Sequence, residues 1–95
     1  MAIFVLTCID KPASLPLRMA TREAHLAYMA GFAGQVRLAG PLLDAAGDPA
    51  GSLIFMEAAD IAEVHGFSAA DPYALAGLFE RTEVRAFRPS VGTLG

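Results

Sequence analysis

Near its start the sequence contains a stretch that is apolar at every position but one, Ala2-Ile3-Phe4-Val5-Leu6-Thr7-Cys8-Ile9. It is rich in β-branched and aromatic side chains, which are enriched in strands. A strand with one face in water alternates apolar and polar residues, whereas this stretch is apolar at both odd and even positions. It therefore predicts a strand that is buried on both faces.

A helix is predicted after this strand. Ser14 can cap its start, and Pro16 falls in the first turns, where proline is tolerated. The glycines at its far end suit a C-terminal cap, so we expect the helix to run to about Gly34.

One face of this helix is cationic. Arg18, Arg22 and His25 are spaced three or four residues apart, and such residues share a helix face. The neighbouring face is apolar and suited to packing on a sheet; it consists of Leu26, Met29, Ala30 and Ala33. The cationic face is either simply solvated, or it meets an anionic small molecule or a carboxylate from elsewhere in the fold.

The rest of the sequence predicts three more strands and a second helix. In order, these are a strand Gln35–Leu43, a strand Ser52–Ala58, a helix capped by Asp60 and running to about Ala69, and a strand Phe79–Phe87. Strict alternation in the second strand would place Val36, Leu38 and Gly40 on one face. The residue before Pro72 is driven out of helical conformation, which ends the second helix.

The predicted order βαββαβ corresponds to a ferredoxin-like α+β sandwich, with an antiparallel sheet and both helices on one face. The doubly apolar strands then need a cover on the opposite face as well. A second copy of the sheet, packed face to face, would supply it, so we expect a homodimer.

Composition agrees with self-association. The 95 residues are expected to form one domain, residues 1–95. Hydrophobic residues make up 55% of the chain and charged residues 18%, more apolar surface than a lone domain of this size easily buries.

Charge and segment lengths limit the partners. A net charge of −3 argues against nucleic-acid binding, which requires a basic surface. No window approaches the ~18–20 apolar residues of a membrane span, and the N-terminal stretch lacks the basic region of a signal peptide. The sequence shows no metal-ligand spacing, and we expect a cytoplasmic protein with no cofactor.

His25 is the best candidate for chemistry, because an imidazole titrates near neutral pH and suits general acid/base catalysis. It would need a carboxylate on its second ring nitrogen to fix the tautomer. Asp71 precedes Pro72 in a non-helical corner, from which its carboxylate can point inward. The alternative is that Asp71 is an ordinary N-cap for the residues that follow.

Three further residues are candidates for substrate binding. Arg22 lies one turn before His25, Ser52 opens a strand directly after Gly51, and Tyr73 could offer a phenol at a pocket rim. The alternatives are a solvated arginine, a plain strand serine and an aromatic packing residue.

The chain resembles the YCII-related proteins of the dimeric α/β-barrel group. The matching stretches follow the family's order along nearly the whole chain: Asp10–Pro12, Arg18, Arg22–Tyr28, Gly40–Asp44, Gly51–Leu53, Asp71–Ala74 and Gly77–Phe79. The resemblance implies a ferredoxin-like fold, a homodimer with facing sheets, and a catalytic dyad at the positions of His25 and Asp71. One branch of the family resembles dehydrochlorinases of chlorinated hydroxyquinols.

These observations favour a small acid/base enzyme that isomerises, or eliminates a leaving group from, a small aromatic or enol-bearing metabolite. The alternative is a non-catalytic dimer that binds a metabolite or a partner protein. A shared fold does not decide between the two.

Overall fold

The computed structural model describes residues 1–94 and contains four strands and three helices. In chain order they are β1 (Ala2–Asp10), α1 (Leu15–Ala30), β2 (Val36–Leu43), β3 (Pro49–Ala58), α2 (Ile61–Ala70), α3 (Pro72–Leu75) and β4 (Phe79–Phe87). The bounds of the last strand are those that the sequence predicts. None of the helices in residues 1–94 is long and apolar enough to cross a membrane.

The strands form one antiparallel sheet in the order β2-β3-β1-β4, with the helices on one face. The predicted ferredoxin-like α+β fold is therefore confirmed. Even-numbered side chains of the two central strands face the helices, and they form the core with Val64 and Phe67 of α2. The core residues from β1 and β3 are Phe4, Leu6, Cys8, Ile54, Met56 and Ala58.

The opposite face of the sheet carries the odd-numbered side chains of β1 and β3. Val5 lies opposite Phe55 on one neighbour and Arg85 on the other, and Phe55 and Phe87 bring their rings within 5.1 Å. Val5 and Phe55 are only partly buried. This face, which we call the open face, is apolar at its centre and has no helix on it within residues 1–94.

Strand β2 departs from the predicted alternation. Val36 pairs with Met56 but Leu38 pairs with Phe55, so Arg37 is an extra residue that shifts the register. Beyond this bulge the faces are exchanged. Val36 packs against the core, whereas Leu38 lies on the open face and is 54% exposed. The prediction that the two residues share a face was wrong, because strict alternation cannot anticipate a bulge.

The helix ends also differ in part from the sequence prediction. Asp60 caps α2 as expected, accepting a hydrogen bond from the backbone N–H of Glu63 at 2.9 Å. The side chain of Ser14 makes no capping bond to α1; its hydroxyl instead donates to the carbonyl of Pro12. Helix α1 ends at Ala30, where the chain turns toward β2 about four residues earlier than expected.

Candidate active site

A cleft separates α1 from the β2–β3 side of the sheet, and its volume is about 680 Å³. The predicted apolar face, which consists of Leu26, Met29 and Ala30 of α1 and Ala33 after it, lines this cleft. Met29 also packs against the core, as the sequence predicts, but the other three residues are exposed, which corrects the expectation that the whole face packs on the sheet. Leu26 is 47% exposed, and Ala30 and Ala33 are exposed as well. The two buried residues of α1 are Arg18 and His25, both of which face the cleft.

His25 and Asp71 form a buried pair. Nδ1 of His25 lies 2.9 Å from Oδ1 of Asp71 and 3.1 Å from Oδ2. An ionised carboxylate only accepts hydrogen bonds, so this contact favours the tautomer in which Nδ1 donates to Asp71 and Nε2 is the unprotonated ring nitrogen. Nε2 has no hydrogen-bond partner within the described residues, and the ring lines the cleft.

Asp71 also serves the short helix that follows it. Its Oδ1 accepts a hydrogen bond from the backbone N–H of Tyr73 at 2.9 Å, which caps α3. The sequence presented the cap and the histidine partner as alternatives, but the structure combines them. A carboxylate that is 2% exposed and held by the α3 backbone has little freedom to turn away from His25.

A second buried pair stands at the same end of the cleft. The Arg18 guanidinium donates from Nε to Oδ2 of Asp10 at 2.7 Å and from Nη2 to Oδ1 at 2.9 Å. Nη2 also donates to the hydroxyl of Ser52 at 2.9 Å. Burial disfavours the charged guanidinium, but the hydrogen bonds and charge of Asp10 outweigh it and raise the pKa of Arg18 above its ordinary value.

Ser52 reaches Arg18 because the backbone comes very close to β1 at the preceding residue. A Cβ built on Gly51 would lie 2.5 Å from the carbonyl oxygen of Cys8, which only glycine avoids. Ser52 is buried and lines the cleft.

Tyr73 connects the two pairs. Its ring stacks on His25 with centroids 4.0 Å apart, and the Arg18 guanidinium carbon lies 4.5 Å from its centroid. Burial raises the pKa of Tyr73 above its ordinary value, so its hydroxyl is a proton-bearing donor across the neutral range. Tyr73 lines the cleft and is 2% exposed, so it both packs and faces the cavity.

Arg22 is the uncompensated charge of the cleft. Its side chain is exposed, lines the cavity and makes no ion pair with any of residues 1–94. The structure thus places His25, Arg22, Ser52 and Tyr73 around one cleft, with Asp71 directly behind His25. Among residues 1–94 there is no group of three or more His, Cys, Asp or Glu side chains that could hold a metal ion.

Sequence reasoning missed two members of this cluster as site residues, Asp10 and Arg18. A signal was present, because Asp10 continues the even-numbered, inward-facing positions of β1, and Arg18 shares the helix face of Arg22 and His25. The sequence left open whether the face of Arg18, Arg22 and His25 is solvated or meets a ligand or a carboxylate, and the structure shows that Arg18 meets the carboxylate of Asp10. Their pairing joins positions eight residues apart, across the turn between β1 and α1.

The family model of the YCII-related domain matches residues 2–88. The chain belongs to the YCII-related family. A curated relative, protein YciI of Escherichia coli O6:H1, is 33% identical over 94 residues, which cover 90% of this chain and 96% of that protein. Protein YciI of Shigella flexneri matches to the same extent.

A solved structure of a characterised enzyme is also similar to this YCII-related chain. It is 5-chloro-2-hydroxyhydroquinone dehydrochlorinase (TftG) from Burkholderia phenoliruptrix AC1100, in complex with 2,5-dihydroxybenzoquinone. The two chains are 35% identical with a TM-score of 0.88, and the match covers 93% of this chain and 95% of that one. A NIPSNAP domain protein from Burkholderia xenovorans, at 17% identity and a TM-score of 0.53 over 95% of each chain, shares the fold alone.

Proposed function

We propose that the chain, as a single YCII-related domain spanning residues 1–95, is a small acid/base enzyme. His25 is the general acid/base, Asp71 orients it, and Arg22, Ser52 and Tyr73 bind the substrate. The observation that carries this proposal is the buried His25–Asp71 hydrogen bond, which leaves Nε2 free on a ring that faces a cleft.

The geometry suits proton abstraction. With Nδ1–H donated to Asp71, neutral Nε2 accepts a proton from a substrate O–H or C–H, and the carboxylate stabilises the imidazolium that forms. In an elimination, the electron pair released from that bond forms the new double bond, and the C–Cl bond breaks with chloride as the leaving group. In an isomerisation, the imidazolium returns the proton to a different carbon of the same substrate.

The residues around His25 suit an oxygenated, planar substrate. Arg22 supplies a positive charge for an ionised hydroxyl, and the Tyr73 hydroxyl is a neutral donor. The dehydrochlorinase TftG binds 2,5-dihydroxybenzoquinone, a planar ring with oxygen substituents. We therefore infer a small aromatic or enol-bearing substrate for this chain.

A non-catalytic ligand-binding module is the second candidate, because the cleft alone explains ligand binding. The two are separated by assaying chlorinated hydroxyquinols and enol-lactones with His25→Ala, Asp71→Asn and, as a control, His65→Ala on the exposed side of α2. An enzyme predicts a loss of about 10²–10⁴-fold in kcat for His25→Ala and none for His65→Ala. A binding module predicts altered Kd and no turnover in any variant.

Asp71→Asn is the more informative of the two variants, because it changes the partner of His25 with little change in side-chain shape. An asparagine oxygen can still cap α3 through Tyr73, so the fold is retained. The same oxygen position lies 2.9 Å from Nδ1 of His25 and can still accept its N–H, but the negative charge that stabilises the imidazolium is lost, so kcat should fall. Turnover that survives both substitutions unchanged would remove the dyad from the mechanism.

The open face of the sheet supports a homodimer as part of the proposal. Its centre is apolar, and Val5 lies there between β3 and β4. Light scattering should give twice the chain mass of 9.9 kDa, and Val5→Lys should shift the protein toward that monomer mass. A parent protein with the monomer mass at micromolar concentration would contradict the dimer.

A further inference from the structure

The cleft has two halves of different chemistry. Strand pairing places Pro41 beside Ser52 and Ala39 beside Ile54. Along the cleft from the His25 end, the residue numbers therefore decrease on β2 and increase on α1. The half around His25, which we call the polar half, contains Arg18, Arg22, His25, Ser52 and Tyr73, with the apolar Met19 and Pro41 beside them. The second is the apolar half, which contains Leu26, Met29, Ala30, Ala33, Val36 and Ala39.

The apolar half is not part of the packed core. Ala30 and Ala33 are exposed, and Met29 and Val36 are partly buried at the core's edge. Apolar surface that faces water contributes nothing to folding, but covering it on binding is favourable at roughly 25 cal/mol per Å². A ligand that covers the apolar half would therefore gain binding free energy. This half is continuous with the proposed acid/base site.

We propose that the substrate has two parts, an oxygenated head in the polar half and an apolar alkyl or aryl substituent of several carbons along the apolar half. This inference rests on the proposed function for the placement of the head. From Arg18 to Ala30 the helix advances about 18 Å, at 1.5 Å per residue. A single six-membered ring covers only part of that length, and the volume of about 680 Å³ suits a larger ligand.

Continuity with the polar half favours a small molecule over a second copy of the chain as the occupant. Both halves belong to one concave cavity that contains Arg22 without a partner carboxylate in residues 1–94. The other large apolar surface, the open face, lies on the opposite side of the sheet and is available for self-association.

The test is isothermal titration calorimetry with 2,5-dihydroxybenzoquinone and its 3-propyl, 3-hexyl and 3-nonyl derivatives, each below its aggregation concentration. Full burial of a methylene is worth about a fourfold gain in affinity. In an open cleft we expect roughly a twofold gain per methylene up to the hexyl derivative, and little further gain once the substituent extends beyond the cleft. Affinity that does not change with chain length would overturn the proposal, and so would the absence of binding throughout the series.

Two alanines of α1 provide matched variants. Ala30 and Ala27 are both exposed, but only Ala30 lines the cleft. Ala30→Gln should remove most of the gain from the alkyl chain and change the affinity for the unsubstituted ring by less than about twofold, whereas Ala27→Gln should behave as the parent. A gain that persists in Ala30→Gln and in Ala33→Gln would show that the chain binds elsewhere and would overturn the proposal.

These measurements are separate from the test of catalysis. If kcat is unchanged in His25→Ala while the chain-length dependence is present in the parent, the proposed function fails and the two-part ligand stands. If His25→Ala abolishes turnover while affinity is independent of chain length, the enzyme stands and the two-part ligand fails.

Discussion

Helices α1 and α2 lie on the same face of one sheet, but they bury opposite kinds of side chain. Helix α2 buries Val64, Phe67 and Ser68, and its apolar residues join the core. Helix α1 is longer, yet its two buried residues are Arg18 and His25. The first helix therefore forms the wall of a cleft, whereas the second closes the core.

The difference shows how a domain of this size combines stability with a site. Apolar side chains on α2 pack directly against β1 and β3, since nothing polar has to be satisfied between them. The buried polar groups of α1, Arg18 and His25, instead need hydrogen-bond partners, and Asp10 and Asp71 supply them. We infer that these polar side chains and their partners keep this part of α1 away from the sheet, which leaves room for a ligand.

The strongest test of this contrast removes one large side chain from each helix. Phe67 is 4% exposed and contacts the ring of Phe32 at 4.8 Å, so Phe67→Ala should lower the free energy of unfolding by about 3–5 kcal/mol. Leu26 lies at the cleft and is half exposed, so Leu26→Ala should cost less than about 1 kcal/mol. Urea unfolding measures both, and equal losses would mean that α1 is packed as tightly as α2.

The next test asks whether charge holds α1 in place. The side chains of Arg18 and Asp10 are 5% and 4% exposed, so Asp10→Asn leaves a buried guanidinium without its anion. We expect a loss of about 3–5 kcal/mol, because removing one partner of a buried ion pair leaves an uncompensated charge.

Glu57→Gln is the matched control for Asp10→Asn. Glu57 pairs with Arg37 at 3.2 Å, but both side chains are more than a third exposed. This change should cost less than about 1 kcal/mol in the same unfolding experiment. If the two substitutions have the same effect, the Arg18–Asp10 pair is not needed to hold the helix.

A smaller effect on the free energy of unfolding is expected at alkaline pH, and it comes from the buried thiol of Cys8. Burial, with a smaller contribution from the charge of Asp71, raises the pKa of Cys8 from 9.0 to about 12. The folded state therefore keeps the thiol proton that the unfolded state loses, so this stability is complete below pH 9 and is lost as the pH rises toward 12.

Between pH 8 and pH 10 the parent should lose about 1 kcal/mol more stability than Cys8→Ala does. Both proteins retain Tyr28 and Tyr73, whose pKa values burial also raises, so the difference between them isolates the thiol. Parallel pH profiles for the two proteins would contradict the assignment.

The smallest expected effect lies at the entry to α1. Ala13 has a φ of 55°, a left-handed conformation that is strained for alanine. Ala13→Gly should raise the unfolding free energy by about 0.5 kcal/mol, because relief of strain exceeds the added chain entropy. Ala27→Gly, inside α1, should instead lower it by about 1 kcal/mol. A loss at both positions would show that Ala13 is not strained.

The order of the elements was predictable because each has a strong local signal. The doubly apolar β1, the Asp60 cap of α2 and the break before Pro72 all depend on neighbours in sequence. His25 and Asp71 were also identified as a possible pair, although they are 46 positions apart, because each had an unusual local setting.

The remaining features depend on contacts that no local pattern encodes. The bulge at Arg37 exchanges the faces of β2 and depends on pairing with β3. The apolar face of α1 has the spacing of a packing face, but only Met29 packs against the core, and the face lines the cleft beside the buried Arg18 and His25. Helix periodicity alone does not show which apolar residues face a cleft, because this depends on the tertiary contacts of Arg18 and His25.

The most direct test of the account is the tautomer of His25, measured by ¹⁵N-edited NMR at a pH at which the ring is neutral. His65 on α2 is exposed and has no hydrogen bond within residues 1–94, so it serves as an internal reference for an unrestrained ring. We predict that His25 is protonated on Nδ1 and that its free Nε2 shifts when 2,5-dihydroxybenzoquinone is added, while His65 does not respond. A His25 ring protonated on Nε2, or one that ignores the ligand, would contradict an acid/base site in the cleft of α1.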